Sequence, residues 1–365
     1  MRTQQERIGR TRKVLRWVVA VVAVGGLLLA VGYVYQRRTT AADFQRHPVP
    51  GRQIEVDGMD LHIRCQGDGG PTVVIDAGNG DFSLSWSKVQ SEVAEFVRIC
   101  TYDRAGYAWS DPSPDSRTAR RVARELHVLL TEAGETEPYI LVGHSLGGLH
   151  VRMFAELYAD DVAGMVLVDA AHEDMWDRFP PEYAQFVSDQ EGQMRIMVYV
   201  ARFGLLRILA GLGGEEVLPE EIEKIPDAVK DSYLAMISQP TYFRTVADEI
   251  RALDETAREV RQIGDLGDLP LIVLTAERSL EFETLDAMGL RPYQVEPIWT
   301  ELQAELVALS TRSTHVIAEE SGHHVHLDRP DTIVTAIRMV LTKIDETRSG
   351  GADRITSSSS REEGF

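Results

Sequence analysis

A serine set between glycines offers the clearest covalent chemistry in this sequence. Residues 143–147 read Gly-His-Ser-Leu-Gly, a G-x-S-x-G segment centred on Ser145. On a tight turn from a strand into a helix, such a serine presents its hydroxyl to a carbonyl carbon, and the glycines prevent clashes around the turn. The pentapeptide alone also fits a plain glycine-rich turn. The β-rich apolar run at residues 139–142 and the helical pattern after Gly148 favour a nucleophilic serine.

The elements that must position this serine alternate between strands and helices along the chain. An amphipathic helical pattern covers residues 118–133, with apolar side chains at helical spacing on one face. Apolar runs typical of strands occur at residues 72–76, 97–103, 164–169 and 269–275. Strands that alternate with helices predict an α/β fold, in which helices cover both faces of a mainly parallel sheet.

Composition and charge limit the classes of protein to be considered. The 365 residues suit one α/β domain with additional segments, and a hydrophobic content of 44% can supply a sizeable core. The net charge of −19 is unevenly distributed, because residues 1–38 carry eight basic residues and one acidic residue. The strongly acidic remainder argues against nucleic acid as a partner.

An apolar segment near the amino terminus predicts a membrane anchor. Residues 17–35 contain no charged side chain and are about long enough to cross a bilayer as one helix. More basic residues precede this segment than follow it, which predicts a cytoplasmic amino terminus and an extracytoplasmic remainder. A cleaved signal peptide is the alternative. The apolar run is longer than such peptides usually carry, and residues 31–36 offer no clear small-x-small cleavage site.

Two further segments, one before and one after Ser145, occur in a characteristic order and spacing along the chain. Residues 102–110 contain an aspartate-arginine-x-glycine sequence, and residues 321–330 begin Ser-Gly-His-His. Together with the serine turn, these segments resemble landmarks of the α/β-hydrolase superfamily, in particular its lipase- and esterase-like members with a helical cap. The resemblance covers roughly residues 52–344 and implies an α/β-hydrolase fold.

The resemblance also implies the other groups of an acyl-transfer site. His323 is implied as the base that removes the serine proton, and its competitors are the neighbouring His324 and His326. An oxyanion needs two preorganised backbone donors. These are implied to be the N–H groups of Leu146 and Asn79, although the loop that contains Asn79 also fits a plain glycine turn.

The carboxylate that must orient this base is where the chain departs from the commonest family pattern. Most members place an aspartate just after the strand at residues 269–275, and this chain has Ser279 there. Some branches carry the acid at the end of the preceding strand. Asp169 is therefore the predicted acid. The alternatives are Glu277 first, then Glu281 and Glu283.

Two cysteines lie in strand-like runs that the fold would make neighbours. Residues 53–65 alternate in polarity and turn at residues 57–58, which predicts a β-hairpin whose second strand ends at Cys65. Cys100 lies in the fourth predicted strand. A disulfide between them is compatible with an extracytoplasmic location, and two buried free thiols are the equal alternative.

The sequence divides into predicted segments of distinct character. Residues 172–266 are acidic and mostly helical, which predicts a cap over the active site; an interfacial helix at residues 194–212 is a weaker alternative. The complete division is a basic cytoplasmic segment (1–16), an anchor (17–35), a linker (36–51), the α/β core (52–171 and 267–344), the cap (172–266) and a disordered tail (345–365).

These features predict a membrane-anchored serine hydrolase that cleaves an ester with an apolar acyl or alcohol part. Neither a metal nor a cofactor is expected, because the histidines show no ligand spacing. Epoxide hydrolases and dehalogenases are disfavoured, since they carry an aspartate in place of Ser145. The alternatives are a same-fold hydrolase of a lactone, amide or carbon–carbon bond, and a non-catalytic binding or signalling protein.

Overall fold

An eight-stranded sheet forms the centre of the molecule. The computed structural model describes residues 2–213, 221–279 and 282–359. The strand order across the sheet is β1-β2-β4-β3-β5-β6-β7-β8. β2 runs antiparallel to β1 and β4, and the remaining neighbours are parallel. The strands are β1 Arg52–Val56, β2 Met59–Gln66, β3 Thr72–Asp76, β4 Ile99–Tyr102, β5 Tyr139–His144, β6 Val162–Val168, β7 Leu271–Arg278 and β8 Ser313–Gly322.

Helices cover both faces of this sheet, as the alternating pattern predicted. The predicted α/β-hydrolase fold with a mainly parallel sheet is thereby confirmed. The helices are α1 Arg2–Arg46, α2 Ser87–Val93, α3 Ala119–Glu132, α4 Leu146–Leu157, α5 Met175–Arg178, α6 Pro181–Arg202, α7 Leu205–Gly213, α8 Glu221–Lys224, α9 Asp227–Ile237, α10 Pro240–Val260, α11 Phe282–Ala287, α12 Pro292–Ala308, α13 Val325–Asp328 and α14 Pro330–Ser359.

The side chains of β5 show why the apolar run before Ser145 becomes a central strand. Ile140 and Val142 join the core layer that also contains apolar residues of α2 and α14. Tyr139 and Leu141 point to the opposite layer, with residues of α3 and α4. A parallel strand buried on both faces needs apolar residues at every position, because successive side chains alternate between the two layers.

The segment between β6 and β7 contains the helices α5 to α10. No strand occurs in the described part of this segment, which agrees with its helical pattern. A cluster of apolar side chains joins α6 to α10, with Val198 and Ala201 packed against Phe243. These helices form the cap.

Residues 36–51 were predicted to be a linker, but residues 36–46 are helical in the structure. α1 continues without interruption through the anchor to Arg46, and Gln36 and Asp43 within it are buried. Residues 33–47 contain neither glycine nor proline, so nothing ends the helix before Pro48. Arg207 of α7 donates hydrogen bonds to the side chains of Gln36 and Asp43, which supplies partners to polar groups that the sequence alone assigned to solvent.

Both ends of the described chain are helical. Among the described residues, one helical segment, Leu15–Arg46, is long and apolar enough to cross a membrane. At the other end, α14 extends to Ser359 through most of the stretch expected to be disordered, and residues 360–365 lie outside the described part. Arg312 donates to the Lys343 carbonyl and the Thr347 hydroxyl, so the helix still has partners beyond its apolar stripe.

Candidate active site

Ser145 occupies the sharp turn between β5 and α4. Its φ of 51° and ψ of −122° are strained values for a residue with a side chain. Backbone hydrogen bonds hold the turn. The Ser145 N–H donates to the Val168 carbonyl at 3.2 Å, and the Ser145 carbonyl accepts from the N–H of Ala171 at 3.0 Å. A Cβ on Gly143 would lie 2.6 Å from the Gly147 carbonyl oxygen. A glycine at position 143, two residues before the serine, is therefore a steric requirement.

His323 lies beside this turn and is held by two contacts. Its backbone carbonyl accepts a hydrogen bond from Nε2 of His144, the residue that precedes Ser145, at 2.9 Å. Its Nδ1 donates to a carboxylate oxygen of Asp169 at 2.6 Å. Because Nδ1 carries the proton in this bond, Nε2 is left as the basic nitrogen of the ring.

Asp169 is completely buried at the end of β6, with a positive φ of 38°. One carboxylate oxygen accepts from His323. The other oxygen accepts from the Ser279 hydroxyl at 2.7 Å and from the Ala276 N–H at 3.0 Å. Ser279, at the position where the family resemblance implied an acid, thus donates to Asp169 from the end of the neighbouring strand. Three hydrogen-bond donors therefore satisfy the two oxygens of this buried carboxylate.

The first alternative acid, Glu277, lies away from His323. Glu277 is exposed, and its carboxylate accepts a hydrogen bond from the Glu320 N–H at 2.7 Å. The structure therefore brings Asp169 to His323 and directs Glu277 away. Glu281 and the side chain of Glu283 lie outside the described residues.

The loop after β3 passes directly over the serine turn. A Cβ on Gly78 would lie 3.2 Å from the Ser145 Cβ and 2.9 Å from Nδ1 of His144, so only glycine allows this approach. Asn79 follows Gly78 in this loop, and its side-chain amide donates to the Glu249 carboxylate at 2.9 Å. On the other side of the turn, Leu146 is the first residue of α4, where backbone N–H groups have no partner within the helix.

A buried arginine holds this loop in place. Arg104 donates to the carbonyls of Ala77 and Gly78, the latter at 2.7 Å, and its Nε donates to Glu249 at 2.7 Å. It also donates to Asp76 at 2.8 Å. Burial disfavours the ionised Glu249 carboxylate, but Arg104 outweighs this effect and holds its pKa below the ordinary value. An ion-pair network therefore connects cap helix α10 to the loop.

Sequence reasoning missed Glu249, although a signal was present. In α10, Glu249 follows Val246 by three residues and precedes Leu253 by four, so it lies on the apolar face of an amphipathic helix. A carboxylate on such a face must find a buried partner. The aspartate-arginine-x-glycine segment contained the partner, Arg104.

Three further histidines gather near His323. His144, His324 and His326 each offer one ring nitrogen, and these nitrogens lie within 4.8 Å of one another. The sequence suggested no such set, because His144 is distant from the others along the chain. These three residues could hold a metal ion. Burial and neighbouring histidines lower the pKa of His144 well below its ordinary value and that of His324 to about 3, so both rings are neutral at pH 7.

The two other histidine candidates for the base have different surroundings from His323. His326 stacks on Trp86 with ring centroids 4.5 Å apart, and its Nε2 lies 3.2 Å from a carboxylate oxygen of Asp81. His324 faces His144 and His326. Within the described residues, His323 is the histidine that contacts Asp169.

Cys65 and Cys100 form a disulfide in this structure. They are directly opposite each other in the antiparallel pair of β2 and β4. Direct partners in an antiparallel pair are close enough for a disulfide, so the bond follows from the register of the two strands.

Comparison with known proteins identifies the family. The pattern of the Alpha/beta hydrolase family matches residues 73–336. The chain belongs to the Alpha/beta hydrolase family. This confirms the resemblance to the α/β-hydrolase superfamily that was drawn from the serine turn and the two other landmarks.

Relatives and structural neighbours of this family member span different activities. Uncharacterized protein YqjL of Bacillus subtilis (strain 168) is 28% identical over 283 residues, which cover 77% of this chain and 88% of YqjL. A thermophilic esterase from Thermogutta terrifontis has a TM-score of 0.56 at 20% identity, over 80% of this chain and 98% of the esterase. Epoxide hydrolase CorEH has a TM-score of 0.58 at 18% identity, with coverage of 80% and 98%. These structural similarities establish the fold, and the chemistry must be argued from the site.

Proposed function

We propose that this chain is a membrane-anchored serine hydrolase that cleaves an ester of an apolar substrate. The observation that carries the proposal is the hydrogen bond from His323 Nδ1 to the buried Asp169, formed beside the strained turn of Ser145. A serine, an imidazole with a free Nε2 and a carboxylate on its other nitrogen form the arrangement that activates a hydroxyl.

The reaction proceeds in two halves. The Ser145 hydroxyl attacks the ester carbonyl while His323 Nε2 takes its proton, and the backbone N–H groups of Leu146 and Asn79 bind the resulting oxyanion. The protonated His323 then gives its proton to the leaving alcohol, which leaves an acyl group on Ser145. Water then attacks this acyl group while His323 takes one of its protons, and His323 returns that proton to the Ser145 oxygen as the carboxylic acid departs. Asp169 stabilises the imidazolium in both halves.

The identity of the nucleophile distinguishes this proposal from epoxide hydrolysis. The family resemblance implies that epoxide hydrolases carry an aspartate at the position of Ser145. A carboxylate can open an epoxide to form an ester intermediate, whereas a serine hydroxyl activated by His323 attacks an acyl carbon. The neighbouring epoxide hydrolase structures therefore support the fold of this chain, and Ser145 supports acyl transfer.

The apolar character of the substrate is inferred from the layer between the cap and the loop after β3. Phe82, Tyr107 and Trp109 of the core form a buried apolar cluster with cap residues that include Met236 and Val246. Tyr242 of α10 donates its hydroxyl to the Gly80 carbonyl at 3.0 Å. An ester with an apolar acyl or alcohol part suits a site enclosed in this way.

The location is inferred from the anchor and the disulfide. The apolar part of α1 is preceded by basic residues, which favours a cytoplasmic amino terminus with the catalytic domain on the other side of the membrane. The Cys65–Cys100 disulfide suits an oxidising compartment.

A fluorophosphonate probe tests the proposal, because it reacts with an activated serine. The full-length chain should be labelled and should hydrolyse a p-nitrophenyl ester, and Ser145→Ala should lose both properties. Ser91→Ala, which changes an exposed serine of α2, is the matched control and should retain them. Labelling that persists in Ser145→Ala would contradict the proposal, as would full ester turnover in His323→Ala.

A further inference from the structure

Large apolar side chains are exposed on two helices of the cap. Ile196 and Tyr199 of α6 and Leu205, Ile208 and Leu209 of α7 are each between 45% and 64% exposed, and we call these five residues the cap patch. Among the described residues outside α1, the other exposed large apolar side chains are Tyr293 and Ile317. The three-residue and four-residue spacings place the members from each helix on one helical face.

The turn between α6 and α7 packs against α1 close to the end of its apolar segment. A side chain on Gly32 would collide with the Phe203 carbonyl, and a Cβ on Gly204 would lie 2.7 Å from the ring of Tyr35. Arg207 adds polar contacts to α1 one turn further on, at Gln36. The cap and the anchor helix thus meet in close packing without an intervening linker.

This contact determines the depth of the cap patch relative to a bilayer. At 1.5 Å per residue, residues 17–35 span about 28 Å, which is close to the thickness of the hydrocarbon core. Gly32 and Tyr35 both lie in the last turn of that segment. Leu205 directly follows the α6–α7 turn that contacts them. The patch therefore begins at the level where α1 would leave the bilayer.

The chemistry of the cap patch matches that of an interfacial helix. Four of its five side chains are aliphatic, and Tyr199 adds an aromatic ring with a polar hydroxyl, the type of residue enriched at membrane boundaries. The Arg202 guanidinium lies over this ring, 6.0 Å from its centroid. Apolar faces edged by arginine and tyrosine are typical of helices that lie in the plane of the interface.

The cap patch is also mechanically connected to the candidate active site. α6 packs on α10 through Val198, Ala201 and Phe243. α10 in turn contacts the loop over Ser145, through the Tyr242 hydroxyl on Gly80 and the Glu249 carboxylate on Asn79. A cap that rests in a bilayer would hold this loop next to the acyl chains.

The geometry points to a cap that docks on the same bilayer that α1 crosses. The cap patch inserts among the acyl chains of the outer leaflet, and the substrate is an ester lipid taken from that leaflet. The docking stands on the patch, its contact with α1 and the proposed membrane crossing of α1, whereas the substrate class rests on the proposed hydrolase function.

Depth-dependent quenching tests the docking. Because both native cysteines are in a disulfide, Ile208→Cys in the full-length chain offers one free thiol for an environment-sensitive fluorophore. In phosphatidylcholine nanodiscs, this label should shift to the blue and be quenched by lipids with a doxyl group on the acyl chain. Ile317→Cys, exposed on β8, is the matched control and should remain unquenched. Equal quenching behaviour at the two positions would overturn the docking.

Substrate delivery is tested with the triple variant Leu205→Asn/Ile208→Asn/Leu209→Asn in the full-length chain. Hydrolysis of a long-chain monoacylglycerol in vesicles should fall about tenfold or more, since the apolar contact with the leaflet is lost. Turnover of soluble p-nitrophenyl acetate should be unchanged. Tyr293→Asn/Ile317→Asn is the control and should affect neither ester.

The results separate the two proposals. Equal loss on both esters, or no loss on the vesicle ester, would overturn delivery from the leaflet. If the wild-type chain hydrolyses neither ester but the Ile208 label is quenched, the hydrolase function fails and the docking stands.

Discussion

Three hydrogen-bond donors, one of them His323, converge on the completely buried carboxylate of Asp169. One oxygen binds His323, and the other is shared by Ser279 and the backbone of Ala276. In the proposed triad the acid has moved from the end of β7 to the end of β6. The serine that occupies the usual acid position compensates by donating to the acid across the two strands.

Asp169→Asn is expected to lower kcat by roughly 10⁴-fold while the fold is retained. An amide in place of the carboxylate favours the wrong tautomer of His323 and cannot stabilise the imidazolium. The measurement is ester turnover by purified full-length chain, with thermal melting as a check of folding. Glu277→Gln removes the alternative acid and should leave kcat unchanged. A large loss in Glu277→Gln with little loss in Asp169→Asn would reverse the assignment.

At the scale of elements, a buried ion-pair network joins the cap to the core. Helix α10 carries Glu249 to Arg104, and Arg104 in turn binds the carbonyls of the loop after β3. The Ala77 and Gly78 carbonyls thus accept hydrogen bonds from Arg104, and the loop backbone at Gly78 packs closely against the serine turn. The position of the cap therefore affects the geometry of the candidate oxyanion donors.

Glu249→Gln is expected to reduce stability by about 3 kcal/mol, because it removes one charge from a buried pair. The ionised carboxylate has a lowered pKa in the folded state, so its contribution is present above the ordinary value of 4.5 and is lost as pH falls below it. Thermal melting between pH 3 and 7 should show a smaller acid-induced loss in the variant than in the wild type. Glu255→Gln, exposed on the same helix, should behave as the wild type; an identical pH profile for Glu249→Gln would exclude this role.

At the scale of the whole molecule, an anchor helix, a cap and a cross-linked sheet form one connected structure. α1 packs on the turn between α6 and α7, and α6 packs on α10 above the serine turn. In the half of the sheet that is remote from β8, the disulfide joins β2 to β4. The apolar helix α1 is thus part of the packed structure, and in the proposed membrane-anchored protein it would set the orientation of the cap relative to the bilayer.

Replacement of both cysteines by serine is expected to lower stability by about 4 kcal/mol, since the bond closes a loop with a sequence separation of 35 residues. This corresponds to a fall of roughly 10 °C in Tm for a domain of this size. Thermal melting of the detergent-solubilised chain measures the effect. A reducing agent should lower the Tm of the wild type by a similar amount and leave the variant unaffected. A wild-type Tm that does not respond to reduction would contradict the prediction.

Local patterns in the sequence determined most of the fold and part of the site. The alternation of strand and helix signals predicted the parallel sheet, and the glycines around Ser145 predicted the sharp turn, because steric limits act over a few residues. The uncharged run at residues 17–35 likewise identified the long apolar helix. The role of His323 as the base was predicted only through the family resemblance of the segment around it.

Only the tertiary structure decided which distant residues meet. Asp169 and Glu277 were both plausible acids, and the contact of Asp169 with His323 depends on how β6, β7 and β8 are ordered in the sheet. The pairing of Glu249 with Arg104 depends on how the cap lies over the core. The burial of Gln36 and Asp43 in α1 depends on Arg207 of α7. Each of these outcomes rests on hydrogen bonds between residues far apart along the chain, whose positions no local pattern encodes.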